Sequence, residues 1–495
     1  MALKKYFLEI VVFICGAVVM IYEIAGSRVL GPYLGTSIFI WTSLIGIILG
    51  SLSLGYWLGG KLADRKPTYS ALAWIVLLAA ILIGLTTLIK EPFLLYLPRF
   101  ISGLKWQSVA ASIFLFAPAS IFLGMVSPYA VRLKIKTLQT SGATVGRLYA
   151  ISTVGSIAGT FAAGFYLIPA MGTTNILISI TVLLALISIT LFIPEKKTGK
   201  SIPAVVLILF TIYLFFENQS KARSYIDEDT QYCRVWIYDA VDQATGKDIR
   251  FMRINNESSS AMFLDNDELV FPYSKFYRLA EHFTPGFGST LILGGAAFSY
   301  PKYFLGKYPD ATIDVVEIDP ELTQLAREHF RLKDDPRMKI FHEDARTFLN
   351  RGDYKYDVIY GDTYKSQYTL PWHLTTLEAA RKTYEMLNEG GCALLNIISS
   401  LEGAGSLFLQ AELATYREVF PYVYVFAVED PTDLLSVQSI ILLAIKSPVE
   451  PIWESEDEEI AGFLKQEASD KVAANLPILT DEYAPVDYYM NLAIK

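Results

Sequence analysis

The chain has 495 residues and a formal net charge of -8. This length exceeds that of one typical soluble domain, so more than one folded unit is expected. The sequence lacks the clustered basic residues of a nucleic-acid-binding face. Its three cysteines and four histidines are scattered, without CxxC or metal-ligand spacing, which argues against a disulfide framework and a metal site.

Long apolar runs dominate the chain as far as about Phe216, and charged residues become frequent after Glu217. A helix needs about 20 mostly apolar residues to cross a hydrocarbon core about 30 Å thick. Six segments are close to this length, and a seventh candidate, Ile202–Phe216, is short and contains Pro203. We therefore predict a membrane domain of six or seven helices over residues 1–216. The six longer candidates are Phe7–Leu30, Ile38–Gly59, Ala71–Ile89, Val109–Val131, Leu148–Ala170 and Asn175–Ile193.

Most lysines and arginines of the loops follow the second, fourth and sixth segments, on the same side as Lys4 and Lys5. Because such loops stay on the cytoplasmic side of a membrane, we predict a cytoplasmic N-terminus. The loop with Lys90, Arg99 and Lys105, after the third segment, is the exception. The seventh segment decides the side of the soluble part, which lies outside the cell if that segment spans and inside if it does not.

Two further features belong to the membrane domain. Glu23 and Arg28 are costly groups for a membrane helix, so they are functional, or form an intramembrane pair, or extend to the interface near the helix end. Gly155, Gly159 and Gly164 are small residues that allow neighbouring helices to pack closely.

The rest of the sequence predicts two soluble parts. Residues 217–285 comprise a linker and alternating segments, among them Cys233–Tyr238 and Asp248–Ile254, that predict a small β-rich subdomain. Over residues 286–495, short buried strands alternate with helical segments. That alternation predicts a doubly wound, mainly parallel sheet of Rossmann type.

A glycine turn follows the first strand of this last domain, where Thr290–Leu293 runs into Gly294 and Gly295. Glycines let the backbone pass close to a ligand, and the helix that follows offers free N–H groups. About 20 residues further on, Glu317 ends the second strand, where a Rossmann sheet places the carboxylate that binds ribose hydroxyls. Together these features predict a site for an adenosine-type cofactor.

The third and fourth strands also end in acidic residues. Asp344 is placed to accept a hydrogen bond from an adenine amine. Asp362 stands at the carboxyl end of the fourth strand, the edge at which open α/β sheets bind their ligands. A carboxylate in that position would accept a proton or hold an ammonium group.

These four strand ends together resemble the spermidine synthase family of aminopropyltransferases, over roughly Tyr225 to Met490. The most specific elements are the glycine turn, Val316–Asp319, Glu343–Ala345 and Asp362. The resemblance implies an α/β domain of the S-adenosylmethionine-dependent transferase type. It also implies transfer of an aminopropyl group from decarboxylated S-adenosylmethionine to an amine.

Two other stretches, Tyr22–Arg65 and Leu479–Asp487, are similar to the membrane-fused members of that family. Within the first of them, Gly55–Arg65 resembles the loop after the second helix of the major facilitator superfamily. Six or seven helices are too few for a complete twelve-helix transporter of that kind.

The resemblance assigns roles to single residues. Asp362 would be the base that deprotonates the attacking amine, Glu317 would bind ribose, and Asp344 would bind adenine. The full set of cofactor-binding residues implied is Gly294, Gly295, Glu317, Asp344 and Ala345. The substrate-side positions implied are Tyr232, Asp265, Tyr273, His282 and Tyr364.

The sequence departs from the family pattern where the transferred group would lie. Ala297 replaces an aspartate that usually contacts the aminopropyl end of the donor. Thr363, Tyr364 and Lys365 follow the catalytic aspartate, where a second acid usually holds the diamine. Cys233 stands where Gln or Asn is common. The adenosine half of the site therefore matches better than the half that holds the transferred group.

Three functions remain open from the sequence. The first is a membrane-anchored aminopropyltransferase that uses decarboxylated S-adenosylmethionine and an amine acceptor. The second is a transferase that moves a methyl or other alkyl group from intact S-adenosylmethionine, which Lys365 favours because it would attract an anionic acceptor. The third is a transporter-like or sensing protein with a degenerate cofactor domain, which Glu23 and Arg28 suggest.

The expected partners are a small-molecule acceptor, amine or other, the lipid bilayer and a second copy of the chain in a homodimer. Neither nucleic acid nor a metal is expected. The expected location is the cell membrane, with the N-terminus in the cytoplasm. We expect the soluble part there too, because the cofactor is made in the cytoplasm.

Overall fold

The computed structural model describes residues 6–135, 137, 139, 141–220, 225–242, 245–255, 257–363 and 370–492. The chain divides into two compact units, Met1–Arg223 and Ser224–Lys495. The finer division predicted from the sequence, at residues 216 and 285, stays a prediction.

The first unit consists of helices. Within its described residues, five helices are long and apolar enough to cross a membrane, or six if a bent pair counts as one span, judged by length and composition. A shorter apolar stretch, Thr198–Leu214, comprises a 3₁₀ turn and the start of the last helix in the described part of this unit. The helices are α1 Phe7–Leu34, α2 Ile38–Arg65, α3 Tyr69–Tyr96, α4 Leu104–Leu115, α5 Ala117–Lys134, α6 Ser141–Ala162, α7 Ile168–Ala170, α8 Thr173–Phe192 and α9 Ile202–Ser220.

The predicted fourth span, Val109–Val131, is not one straight helix. The chain bends by 51° between α4 and α5. Pro118 lies just after the break, and it explains the bend because proline has no N–H to continue the helical hydrogen bonds. The carbonyl of Leu115 at the break accepts hydrogen bonds from the hydroxyls of Tyr22 (2.9 Å) and Thr86 (3.1 Å).

The glycines of α6 pack against α1. A Cβ atom on Gly155 would lie 2.1 Å from the carbonyl oxygen of Phe13, and one on Gly159 would lie 2.3 Å from that of Ala17. Gly164, in the π-helical stretch after α6, has no atom within 4 Å of such a Cβ among the described residues. The predicted close packing is confirmed for the first two glycines and wrong for Gly164.

The second unit begins with a four-stranded antiparallel sheet in sequence order. It packs through Val235 and Met252 against Leu322 and Leu325 of the next domain. Burial of these side chains fixes the small sheet on the helix that follows Glu317. Its strands are β1 Tyr225–Asp229, β2 Arg234–Val241, β3 Asp248–Ile254 and β4 Glu257–Phe263.

The main sheet has seven strands in the order β10-β11-β9-β8-β5-β6-β7. Pairs among β5 to β9 are parallel, as the sequence predicts, whereas β11 runs antiparallel to both β9 and β10. The order reverses next to β5, which creates the crevice where open α/β sheets bind ligands. The strands are β5 Ser289–Leu293, β6 Thr312–Val316, β7 Met338–Phe341, β8 Tyr356–Gly361, β9 Leu387–Ser399, β10 Tyr422–Ala427 and β11 Gln438–Ile445.

Helices cover both faces of this sheet and bury two apolar cores. Phe348, Ala380 and Leu409 pack on one face, and Phe304 and Ala326 pack on the other. Both faces being covered explains why the strands are almost wholly apolar. The helices are α10 Pro272–Lys275, α11 Leu279–Phe283, α12 Ser299–Lys307, α13 Pro320–His329, α14 Ala345–Arg351, α15 Leu377–Met386, α16 Leu407–Arg417, α17 Glu458–Leu464 and α18 Val486–Leu492.

Candidate active site

The glycine turn after β5 lies directly against the end of β8. Gly294 has a φ of +97°, and a Cβ atom there would lie 2.0 Å from the carbonyl oxygen of Asp362. Only glycine allows both this backbone conformation and this close approach. The N–H of Asp362 donates to the carbonyl of Leu293 over 2.8 Å. The turn therefore fixes the backbone of Asp362 at the sheet edge.

Glu317, at the end of β6, holds the same turn from the other side. Its Oε2 accepts from the N–H groups of Gly295 and Ala296, both at 2.9 Å, and its Oε1 accepts from that of Asp319 at 3.0 Å. Burial raises the pKa of Glu317, and these three backbone donors oppose that rise. An ionised carboxylate has about four acceptor positions, so one remains for a ligand hydroxyl.

Asp362 lies buried at the end of β8 between two side-chain donors. The hydroxyl of Tyr273 donates to its Oδ2 over 2.9 Å, and Nδ2 of Asn396 donates to its Oδ1 over 3.1 Å. Burial raises the pKa of Asp362, while the hydrogen bonds from Asn396 and Tyr273 oppose that rise. A buried carboxylate with such opposing influences on its pKa is suited to proton transfer.

A group of buried tyrosine rings supports this carboxylate. The ring of Tyr277 lies 6.0 Å from that of Tyr273, 4.9 Å from Tyr300 and 5.0 Å from Tyr360. Tyr300 and Tyr360 are themselves 4.9 Å apart. Tilted and edge-to-face contacts of this kind fix ring positions, so the hydroxyl of Tyr273 is held in place at Asp362.

Sequence reasoning missed Asn396 and Tyr277. Asn396 is a polar residue inside the apolar run of β9, close to its carboxyl end. An amide there must find a partner because buried polar groups are almost always hydrogen-bonded. That isolated polar position was the available signal. Tyr277 gave no comparable signal, since an aromatic residue in an apolar segment is usually a residue of the hydrophobic core.

The predicted adenine residues lie at the end of β7. Asp344 caps α14, because its Oδ1 accepts from the N–H of Thr347 at 3.1 Å, and its Oδ2 lies 3.3 Å from Nε2 of His373. Ala345 is the buried first residue of that helix. Their assignment to adenine stays a prediction.

The predicted substrate-side residues divide into two groups. Only Tyr273 hydrogen-bonds to Asp362 among those that the structure describes. Tyr232 is partly exposed, Asp265 accepts from Nδ2 of Asn266, and Nε2 of His282 lies 2.7 Å from the carbonyl oxygen of Ile452. The structure therefore does not join these three to Asp362. Tyr364 lies outside the described residues, as does Lys365.

The departures from the family pattern have a structural counterpart. Ala297 is fully buried in the apolar cluster beneath the small sheet, together with Cys233 and Met252. Its N–H donates to Oγ of Ser260 over 3.3 Å. This position therefore contributes packing and offers no charge to a ligand.

The sheet order, the glycine turn and the acidic strand ends define a Rossmann-type α/β domain with a ligand site at the carboxyl ends of its strands. Comparison with known proteins shows what this domain is similar to. Residues 281–447 match the spermine/spermidine synthase domain. Over these residues the chain is similar to the spermine and spermidine synthases.

Two curated relatives and one solved structure illustrate the similarity. Polyamine aminopropyltransferase from Vibrio vulnificus is 28% identical over 234 residues, which cover 44% of this chain and 75% of that protein. Polyamine aminopropyltransferase 1 from Streptomyces coelicolor is 24% identical over 386 residues, covering 72% of this chain and 68% of that protein. The crystal structure of a probable spermidine synthase from Corynebacterium glutamicum is 28% identical, covers 49% of this chain and 85% of its own, and has a TM-score of 0.40.

Proposed function

We propose that the chain is a membrane-anchored aminopropyltransferase in which Asp362 is the catalytic base. One observation carries this proposal above the others. Asp362 lies at the crevice edge of the sheet, buried, fixed by the glycine turn and held by Tyr273 and Asn396. Such a carboxylate is placed to take a proton from an amine that attacks a bound donor.

In this proposal decarboxylated S-adenosylmethionine binds along the edge formed by β5, β6 and β7. Gly294 and Gly295 leave room for it, the free acceptor position of Glu317 takes a ribose hydroxyl, and Asp344 with Ala345 lies at adenine. When bound, this co-substrate supplies a sulfonium group that makes the adjacent carbon of its aminopropyl chain electrophilic.

The amine must be neutral to react, since a protonated nitrogen has no lone pair. Its nitrogen forms a bond to that carbon, and the carbon–sulfur bond breaks with its electron pair going to sulfur. The nitrogen then loses a proton to an oxygen of Asp362. Tyr273 and Asn396 hold the carboxylate in place during this transfer, and they favour its charged form before it.

The test combines donor choice with removal of the base. On the purified full chain, decarboxylated S-adenosylmethionine should bind more tightly than the intact form in calorimetry. The variant Asp362→Asn should keep that binding, because its amide has the same shape. Its kcat should fall by about 10²–10⁴-fold, the usual contribution of a general base.

The exposed Asp353 provides the matched control. Asp353→Asn should leave both donor binding and kcat unchanged. Full activity of Asp362→Asn would rule out its role as the base.

A second candidate is a transferase that uses intact S-adenosylmethionine. Ala297 favours it, because this fully buried alanine leaves no acid for the donor's aminopropyl end. Tighter binding and turnover of the intact donor in the same assay would select this candidate.

A further inference from the structure

The C-terminal stretch Leu479–Asp487, to which the proposed function gives no role, is attached to α14, the helix that begins at Ala345. Oδ2 of Asp481 accepts from Nη2 of Arg346 in α14 over 2.7 Å. Oδ1 of Asp481 accepts from the hydroxyl of Thr376 over 2.7 Å. Asp481 therefore joins this stretch both to α14 and to the residue that caps α15.

Arg346 links the stretch to the turn Trp372–Leu374. Its Nη1 donates to the carbonyl of His373 over 2.7 Å and to the hydroxyl of Thr376 over 3.0 Å. Only 14% of the Arg346 side chain is exposed, so its charge depends on the carboxylate of Asp481 for compensation. A guanidinium holds several acceptors in one fixed planar geometry. The backbone of His373 is therefore held by the C-terminal stretch through Arg346.

The ring of His373 faces the carboxylate that is expected to bind adenine. Nε2 of His373 lies 3.3 Å from Oδ2 of Asp344, whose Oδ1 accepts from the N–H of Thr347. Oδ2 is thus the oxygen that is left for a ligand. The His373 and Asp344 side chains are 34% and 38% exposed, so the pair is open to a ligand and not enclosed in the core. Among the described residues, no lysine or arginine lies within ion-pair distance of Asp344.

We propose that His373 determines specificity for the adenine of the donor by directing Oδ2 of Asp344 toward its amine, and that Asp481 keeps His373 in place through Arg346. The inference rests on the proposed function, in which Asp344 lies at adenine. Adenine presents an N–H donor at this position, whereas hypoxanthine presents a carbonyl oxygen. A carboxylate accepts from the first and repels the second, so a carboxylate fixed in this direction discriminates between the two bases.

The test compares two nucleosides whose bases differ at this position. 5′-Methylthioadenosine is what remains of the donor once its aminopropyl group has been transferred, and 5′-methylthioinosine has oxygen in place of the amine. In calorimetry, the full-length wild type should bind the adenosine form more tightly.

The variant His373→Leu should lose most of this preference. Its Kd for 5′-methylthioadenosine should rise by about five- to tenfold, part of the roughly 10–100-fold that a hydrogen bond to a charged group contributes, while its Kd for 5′-methylthioinosine should stay within about twofold. His373→Gln keeps an N–H donor near the position of Nε2 and should retain most of the preference. Equal losses of affinity for both nucleosides in His373→Leu would indicate a role in folding alone and would overturn the inference.

Asp481→Asn removes the charge that holds Arg346. It should reduce the preference in the same direction as His373→Leu and by a smaller factor, because the ring of His373 stays present. An unchanged preference in Asp481→Asn would overturn the part of the inference that concerns the C-terminal stretch.

Two control variants carry the same chemistry outside the site. Nε2 of His329 lies 3.6 Å from Oε2 of Glu328, but this pair is at the end of α13, which runs away from the ligand edge of the sheet. Asp470 is an exposed acid in the C-terminal region. His329→Leu and Asp470→Asn should leave both Kd values unchanged.

Turnover and nucleoside binding separate this inference from the proposed function. If the wild type transfers no aminopropyl group but prefers 5′-methylthioadenosine, and His373→Leu loses that preference, the inference stands and the proposed function fails. If the wild type transfers the group and His373→Leu keeps the full preference, the proposed function stands and the inference fails. A wild type that binds the two nucleosides equally would also overturn the inference.

Discussion

Asp362 has two opposing influences on its proton affinity, and the balance between them sets the pH range of the proposed reaction. Burial favours the neutral acid, while donors on Tyr273 and Asn396 favour the carboxylate. Because only the carboxylate accepts a proton, kcat/KM should fall as the pH decreases through the pKa of Asp362. The position of this acid limb therefore reports on the hydrogen bonds to Asp362.

The variant Tyr273→Phe tests this balance. Loss of the phenolic donor should raise the pKa of Asp362, since a hydrogen bond to a charged group contributes about 1.5–3 kcal/mol. One pKa unit corresponds to about 1.4 kcal/mol, so the acid limb of kcat/KM should move upward by about one to two pH units. The pH profile of the purified chain measures the shift.

Tyr300→Phe is the control, because that ring belongs to the same tyrosine group without a bond to Asp362. Its acid limb should stay in place. An unchanged limb in Tyr273→Phe would show that this hydroxyl does not stabilise the carboxylate.

The close packing of α6 on α1 predicts how substitutions at its glycines change the free energy of unfolding. Gly155→Ala should lower the free energy of unfolding by about 1–3 kcal/mol, the usual cost of overpacking, because the new methyl would meet the carbonyl of Phe13. Gly164→Ala should lower it by less than about 0.5 kcal/mol, as is usual where nothing is contacted. Unfolding in mixed detergent micelles measures the free energy of both variants. Equal losses in the two variants would mean that the close approach of α6 to α1 at Gly155 does not contribute to stability.

Local patterns explain which elements the sequence predicts well. The alternation of buried strands and helices predicts the Rossmann sheet, and the ends of its strands place Glu317 and Asp362 at one edge. Asn396 escapes such reasoning, because the residue to which it donates, Asp362, is distant in sequence. The bend at Phe116 was not predicted, because the hydropathy of a segment carries no information on how Pro118 interrupts the helical hydrogen bonds. Gly164 was wrongly predicted because spacing alone does not show which face meets a neighbour.

For the whole molecule, the side of the membrane on which the soluble unit lies depends on whether α9 spans. The lysines and arginines after the second, fourth and sixth predicted segments favour a cytoplasmic N-terminus. The apolar run within α9, Ile202–Phe216, is shorter than the about 20 residues that a span needs. We propose that α9 does not cross and that the soluble unit stays in the cytoplasm with the supply of its donor.

Fusions of alkaline phosphatase, which is active only outside the cytoplasm, test this placement. A fusion after Gly35 should be active, and fusions after Lys66 and Lys200 should be inactive, which together establish the topology up to α9. A fusion after Glu217 should then also be inactive. Activity there, with the other three as expected, would mean that α9 crosses. The soluble unit would then face away from the compartment where its donor is made, and an aminopropyltransferase would need donor delivered across the membrane.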